Sequence, residues 1–294
     1  MFSKRKFTQA LIYTSFVGPV FFVFSMIVLI PFVLGMYYSL TSWNGVSGTI
    51  EWNGLNNFIQ IFKNDLQVRD SFLFTIKFTL ASVFFTNSLG FLLALLLTQK
   101  LKAKNILRTV FFIPNLIAGL LLGFIWQFIF VKGFAAIGEL TGFSLFQLPW
   151  LGDATTAFWG IVIVSVWQGA GYVMVIYIAA ILNIPDEVIE AARIDGANGW
   201  DLLKYIILPL IRPAITICLF LTISWAFKIF DLNFSLTGGG PFKSTESLAI
   251  NIYTEAFVNN RYGLGAAKAF LFFVVVATIT TLQVLYTKKK EVEA

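Results

Sequence analysis

The sequence predicts an all-α polytopic membrane protein of six transmembrane helices, and three observations carry that reading. Hydrophobic residues make up 58% of the 294 and charged residues 12%, at a mean hydropathy of +0.82, which no soluble chain with a single core sustains. Six apolar runs are long enough to cross a bilayer, which takes ~20 residues of helix. Lys and Arg gather in the segments that would share one side of such a bundle. No stretch of balanced polarity is long enough to bury a core of its own, so no separate soluble domain is expected.

The first run, residues 11–40, follows the basic Lys4, Arg5 and Lys6. It is longer than the apolar core of a secretory signal and has no small-residue cleavage site. A retained span is therefore expected, bent at Gly18-Pro19 and Pro31. Residues 41–69 form a loop with Trp43, Trp52 and an amphipathic piece, 56–62, suited to the membrane interface. The next spans are expected at 71–98 and 109–131, then a loop, 132–155, rich in Gly and aromatics, then a span at 156–182. After the polar stretch 183–212 come spans at 213–232 and 263–287. Between these last two, Thr-Gly-Gly-Gly-Pro at 237–241 has to leave helix and turn sharply.

Six spans put both termini on one side. The termini and residues 99–108 and 183–212 hold Lys4, Arg5, Lys6, Lys100, Lys102, Lys104, Arg108, Arg193, Lys204, Arg212, Lys288, Lys289 and Lys290, thirteen cations. The opposite loops hold five, Lys63, Arg69, Lys132, Lys243 and Arg261. Thirteen against five places both termini and residues 183–212 in the cytoplasm. The net charge of +6 is therefore a topology signal and no pointer to nucleic acid.

The stretch 183–212 is too long and too polar for a simple reversal. It holds Asp186, Glu187, Glu190, Asp195 and Asp201, five of the fifteen carboxylates. Pro185 suits a first helical position, with Asp186 and Glu187 at the positive end of the helix dipole. Gly196 can end that helix in a left-handed conformation, and Asn198 can cap a second helix with Asp201 in its first turn. Ala191 and Ala192 leave room for another backbone to come close. The stretch reads as a preformed docking surface.

The chemistry left to this chain is narrow. Histidine is absent, which removes the commonest general base and metal ligand, and carboxylates do not converge inside the spans, so an intramembrane enzyme is disfavoured and no metal site is expected. Cys218 is the single cysteine and has no partner for a disulfide. No GxxxxGK[ST] occurs, so uphill transport has to draw on a partner or an ion gradient. Lys77 and Lys268 are expected to snorkel to the outer interface. Lys228 lies deeper, with Asp231 three residues along the same helix, either as a structural pair or on a substrate route. Ser165, Trp167, Gln168, Gly169, Gly171 and Tyr172 suit stacking on and bonding to a polyol. Equally, the glycines serve close helix packing, with Gln168 as interhelical glue.

The run Glu190-Ala191-Ala192-Arg193-Ile194-Asp195-Gly196-Ala197, followed by Ile206-Ile207-Leu208-Pro209, resembles the EAA signature of permease subunits in binding-protein-dependent ABC importers. Leu203 stands where that signature usually has an aromatic. Further likeness lies in Gly54-Leu55-Asn56-Asn57-Phe58, Arg108-Thr109, Phe112-Ile113-Pro114, Trp167-Gln168-Gly169, Ile184-Pro185, Phe230-Asp231 and residues 236–241, the last set being similar to carbohydrate importers of the maltose type. The resemblance implies one permease domain over 1–294 with the type I ABC importer permease fold, in a prokaryotic plasma (inner) membrane. It implies that Glu190, Ala191, Ala192, Asp195 and Gly196 belong to a coupling helix seated in a cytoplasmic ATPase. By position it also implies a substrate path along Ser165, Gln168, Gly169 and Tyr172, and along Thr222, Ser224, Trp225 and Lys228. The partners it implies are a second permease subunit, two ATPase subunits that bind ATP and Mg, an extracytoplasmic solute-binding protein, a sugar and the membrane lipid, with no cofactor in this chain. The alternative is an ATPase-independent secondary transporter or channel with Lys228 and Asp231 as pore charges, which would have no need of the docking stretch.

Overall fold

A computed structural model describes residues 2–99 and 101–289, with side chains from residue 12. Lys100 and Lys290 of the cation count, and the side chains of Lys4, Arg5 and Lys6, lie outside the described residues. The secondary-structure elements of the described chain are all helices, joined by loops, and one isolated bridge pairs Thr41 with Trp52. In order the helices are α1 (Ile12–Tyr38), α2 (Asn56–Asn64), α3 (Leu66–Leu97), α4 (Lys104–Phe112), α5 (Gly119–Thr141) and α6 (Ala154–Leu182). There follow α7 (Asp186–Ile194), α8 (Gly199–Leu210), α9 (Arg212–Phe227), α10 (Asp231–Leu236), α11 (Leu248–Val258) and α12 (Tyr262–Lys288). Five of these, α1, α3, α5, α6 and α12, are long and apolar enough to span a membrane, and there are six if α8 and α9, bent by 69°, are counted together as one span.

Two spans differ from expectation, both because a window of apolar residues does not register a backbone break. The span expected at 109–131 is instead α5. Pro114 lacks the N–H that would continue α4, a short 3₁₀ turn covers Ile113–Leu116, and Ile117 and Ala118 are extended before helix resumes at Gly119. Lys132 thus sits on a helix, not in an outer loop. The span expected at 213–232 stops at Phe227. Phe230 has φ −133° and ψ −69°, and a new helix begins at Asp231. In α1, a π-helical stretch at Ser25–Leu29 precedes Pro31, which relieves the hydrogen bond that the proline cannot make.

The chain forms two compact units, residues 1–65 with 252–273, and residues 66–251 with 274–294. In the first, α2 packs against the end of α1. Asn57, buried, donates to the carbonyls of Ser39 (2.9 Å) and Thr41 (2.8 Å), and Ile61 is buried beside it, so the piece expected at the interface is tied down by its polar side. Gly263 allows the start of α12 to approach Thr41, whose carbonyl oxygen would lie 2.1 Å from any Cβ there. Lys268 does not snorkel. It is 2% exposed and its Nζ meets Asp65 Oδ2 at 2.8 Å and Glu255 Oε2 at 2.5 Å, while Arg261 holds the other Glu255 oxygen at 2.6 Å. A buried ammonium with two carboxylates to hand is more stable than one stretched toward water. Lys77, by contrast, is exposed.

The second unit is organised on α3 and α6. Ser82 faces Ser165, Thr86 faces Gly169, and Gly90 faces Val173, a constant offset that makes the two helices parallel. The buried residues of α3 form a narrow polar and small stripe, of which Ser82, Thr86 and Gly90 lie against α6 while Ser71 and Thr75 meet Glu246 and Leu248. Helix α9 runs back the other way. Its Ala226 packs with Phe74 and Phe78 near the start of α3, and its Cys218 with Ala94 and Leu97 near the end. A hydrogen-bonded chain ties the three helices: Tyr177 Oη donates to Asn87 Oδ1 (3.0 Å), Asn87 Nδ2 to Thr222 Oγ1 (2.9 Å), and Thr222 Oγ1 to the Cys218 carbonyl (2.7 Å).

Candidate functional site

A cleft of about 340 Å³ opens above that chain in the second unit. Six of the eight substrate-path residues expected from sequence line it: Ser165, Gln168, Gly169, Thr222, Trp225 and Lys228. Tyr172 lies just behind, its ring edge-on to Trp225 with centroids 5.2 Å apart, and Ser224 does not line the cleft. Ser165 meets Ser82 Oγ at 3.4 Å, and Gly169 leaves room for the Thr86 methyl, which would sit 3.2 Å from an added Cβ. Gln168 Nε2 donates to the Ile117 carbonyl at 2.9 Å, where the chain is extended and no helical N–H can reach it. Gln168 thus bridges two elements and also lines the cleft.

Lys228 and Asp231 are not on one helix. Lys228 terminates α9, Asp231 opens α10, and no ion pair joins them among the described residues, yet both line the cleft. The wall thus offers an ammonium, a carboxylate, amides and hydroxyls beside the Trp225 ring, donors and acceptors set around an aromatic face. Sequence reasoning missed Ser82, Thr86 and Asn115, which also line it. The signal for the first two was present: polar and small residues recur every three or four positions along α3, the spacing of one helix face.

The other end of α6 leads into residues 183–212. Pro185 takes the N-cap position, one earlier than expected, and Asp186 and Glu187 occupy the first turn of α7. Gly196 is left-handed, with φ +88°, and the Ala197 N–H reaches the Ala192 carbonyl at 2.9 Å, a Schellman-type closure. Asn198 caps α8 in a full capping box with Asp201. Glu190, Ala191, Asp195 and Gly196 are exposed, and Ala192 half-buried. Around them Ile194 (86%), Trp200 (68%) and Tyr205 (61%) also face outward, a concentration of apolar surface on an otherwise charged stretch. Ile189 alone of the apolar side chains on α7 packs against the core. Among the described residues no group of His, Cys, Asp or Glu is arranged to hold a metal ion.

The model of the family described as "Binding-protein-dependent transport system inner membrane component" matches residues 86–292. The chain belongs to that family. It is 45% identical, over the whole of both chains, to the probable starch degradation products transport system permease protein AmyD of Thermoanaerobacterium thermosulfurigenes. It is 33% identical to the multiple sugar-binding transport system permease protein MsmF of Streptococcus mutans, over 89% of this chain and 90% of that one. Its fold is similar to a chain in the crystal structure of a bacterial ABC transporter involved in the import of the acidic polysaccharide alginate, with a TM-score of 0.84 over 98% of this chain and 99% of that chain at 18% identity. This permease is accordingly a multi-pass membrane subunit of a binding-protein-dependent ABC importer, a transport component and not an enzyme. These findings favour that reading over a gradient-driven carrier or channel.

Proposed function

We propose that this permease forms half of the translocation path of an ATP-driven sugar importer and holds the sugar in the cleft along α6 and α9. The observation that carries this reading is the convergence of Ser165, Gln168 and Gly169 with Thr222, Trp225 and Lys228 on one cavity from segments far apart in sequence. Each hydroxyl of a sugar donates and accepts, and its C–H faces stack on aromatic rings; the amide, hydroxyl and charged groups of this wall beside Trp225 and Tyr172 match both demands. The names of the similar proteins AmyD and MsmF support sugar as the cargo. The exposed α7, with Glu190, Ala191, Ala192, Asp195 and Gly196, is the lever seated in the ATPase. ATP and Mg bind there, and this chain needs no cofactor of its own. A second permease subunit completes the path, two ATPase subunits drive it, and the solute-binding protein delivers sugar to the face opposite α7. Both termini are cytoplasmic. Closure of the ATPase pair biases a bistable permease pair through a rigid helix, which the caps at Gly196 and Asn198 supply.

The test is uptake of labelled malto-oligosaccharide by the assembled importer in proteoliposomes. Uptake is expected to require ATP and the loaded binding protein. It should fall about tenfold in Gln168→Ala, equivalent to ~1.4 kcal/mol, with the complex still assembled. Glu190→Lys is expected to abolish uptake together with stimulation of ATP hydrolysis by loaded binding protein. Uptake without the ATPase would refute the importer mechanism, and unchanged kinetics in both Gln168→Ala and Tyr172→Ala would remove the cleft assignment.

A further inference from the structure

The hydrogen bonds of Thr222, a member of the cleft wall, are set by two residues that do not line the cleft, Asn87 of α3 and Tyr177 of α6. Asn87 Nδ2 donates to the Val83 carbonyl (2.8 Å) and to Thr222 Oγ1 (2.9 Å), while Asn87 Oδ1 accepts from the Tyr177 hydroxyl (3.0 Å). These distances fix which way the amide faces. Turned over, its oxygen would stand 2.8 Å from the Val83 carbonyl oxygen, acceptor against acceptor. Tyr177 is buried, so water does not compete with its hydroxyl for the amide oxygen.

The Thr222 hydroxyl brings one hydrogen and two lone pairs, and each has a place. Its oxygen lies 2.7 Å from the Cys218 carbonyl oxygen, a separation that two oxygens keep only with a proton between them, so the hydrogen points back into α9. One lone pair takes the Asn87 amide hydrogen. The second lone pair is what remains for the cleft, so Thr222 can accept from a ligand and has nothing to donate. A threonine hydroxyl in a helix has two rotamers to choose from. Only the one seen here keeps Oγ1 within reach of Asn87, and the other would leave the amide N–H without that acceptor.

We infer that Asn87, held by Tyr177, is a positioning residue for the cargo: it fixes Thr222 as an acceptor-only contact, so the group that meets Thr222 has to be a free hydroxyl. An ether oxygen, a carboxylate or a fluorine at that point would set lone pairs against a lone pair. This rests on the functional reading above, which places the sugar in the cleft.

The experiment measures the affinity of maltotriose for the assembled importer in nanodiscs, without binding protein, by saturation-transfer NMR. Thr222→Val is expected to weaken binding about tenfold, the loss of one hydrogen bond. Asn87→Leu should weaken it several-fold, and so should Tyr177→Phe, which keeps the ring and serves if Asn87→Leu does not assemble. Added to Thr222→Val, neither should weaken binding further, because both act through that hydroxyl. A merely structural role would weaken binding equally in either background. Among maltotrioses with fluorine replacing one hydroxyl at a time, at least one should bind the parent about tenfold more weakly than maltotriose and bind Thr222→Val as maltotriose does. Unchanged affinity in Tyr177→Phe and in assembled Asn87→Leu, equal losses in the Thr222→Val background, or no fluorinated sugar that depends on Thr222 overturns the proposal. If maltotriose does not bind the unsubstituted importer, or binds equally well after Gln168→Ala and after Tyr172→Ala, the functional reading itself fails. If those two losses appear without the coupling to Asn87, only the positioning role is lost.

Discussion

Replacing Lys268 with methionine keeps most of the side chain's volume and removes the ammonium that Asp65 and Glu255 share. The Lys268 side chain is 1% exposed, so the loss cannot be made good by water. Breaking a buried pair by removing one partner costs about 3–5 kcal/mol, most of it from the charge left behind. Here Glu255 keeps Arg261 at 2.6 Å and the Asp65 side chain retains 15% exposure, which puts the expected cost at the low end, about 3 kcal/mol. A second change, Glu255→Gln, removes one stranded carboxylate and leaves Arg261, already half in solvent, to be hydrated. The double variant should therefore be more stable than Lys268→Met alone by ~1–2 kcal/mol. Denaturant midpoints of the purified permease in detergent, arranged as a double-mutant cycle, measure both terms. A Lys268→Met variant within ~0.5 kcal/mol of the parent, or a further loss on adding Glu255→Gln, would refute the reasoning.

Gly171→Ala should be far more damaging than Gly169→Ala. A Cβ on Gly171 would lie 1.9 Å from the Phe111 carbonyl oxygen, a backbone atom that cannot swing aside, whereas one on Gly169 meets a Thr86 methyl at 3.2 Å. Overpacking of that kind costs ~1–3 kcal/mol, and the yield of assembled complex together with its thermal midpoint reads it. Asn87→Leu should destabilise by ~1–3 kcal/mol, because it takes the amide acceptor from the Tyr177 hydroxyl and strips a donor from Thr222. Adding Tyr177→Phe should recover part of that loss in the same midpoint measurement, and no recovery would show that the three do not act as one chain.

Local chemistry was legible residue by residue. Gly196 ends α7 in a left-handed turn and Asn198 caps α8 because each depends on atoms within four or five positions of itself. The sharp turn at 237–241 follows from its glycines in the same way. Positional resemblance was enough to bring Ser165, Gln168 and Gly169 to the cleft, and less so for α9, where Ser224 falls outside it and the helix stops at Phe227. The polar stripe on α3 was readable as a spacing, yet its meaning depended on α6 lying alongside in parallel.

What the sequence alone determined, then, is what apolar content and short-range backbone chemistry determine: the helical membrane class, and the capped helices of the stretch 183–212 with their small residues. The tertiary structure alone decided where a span begins after Pro114, that Lys228 and Asp231 belong to different helices, and that Lys268 turns inward to Asp65 and Glu255. The physical reason is one of range. Hydropathy sums transfer energies over a window and does not see a missing N–H. Whether a lysine in an apolar helix reaches for water or for a carboxylate depends on a partner some two hundred residues away, which only the folded chain brings within 3 Å.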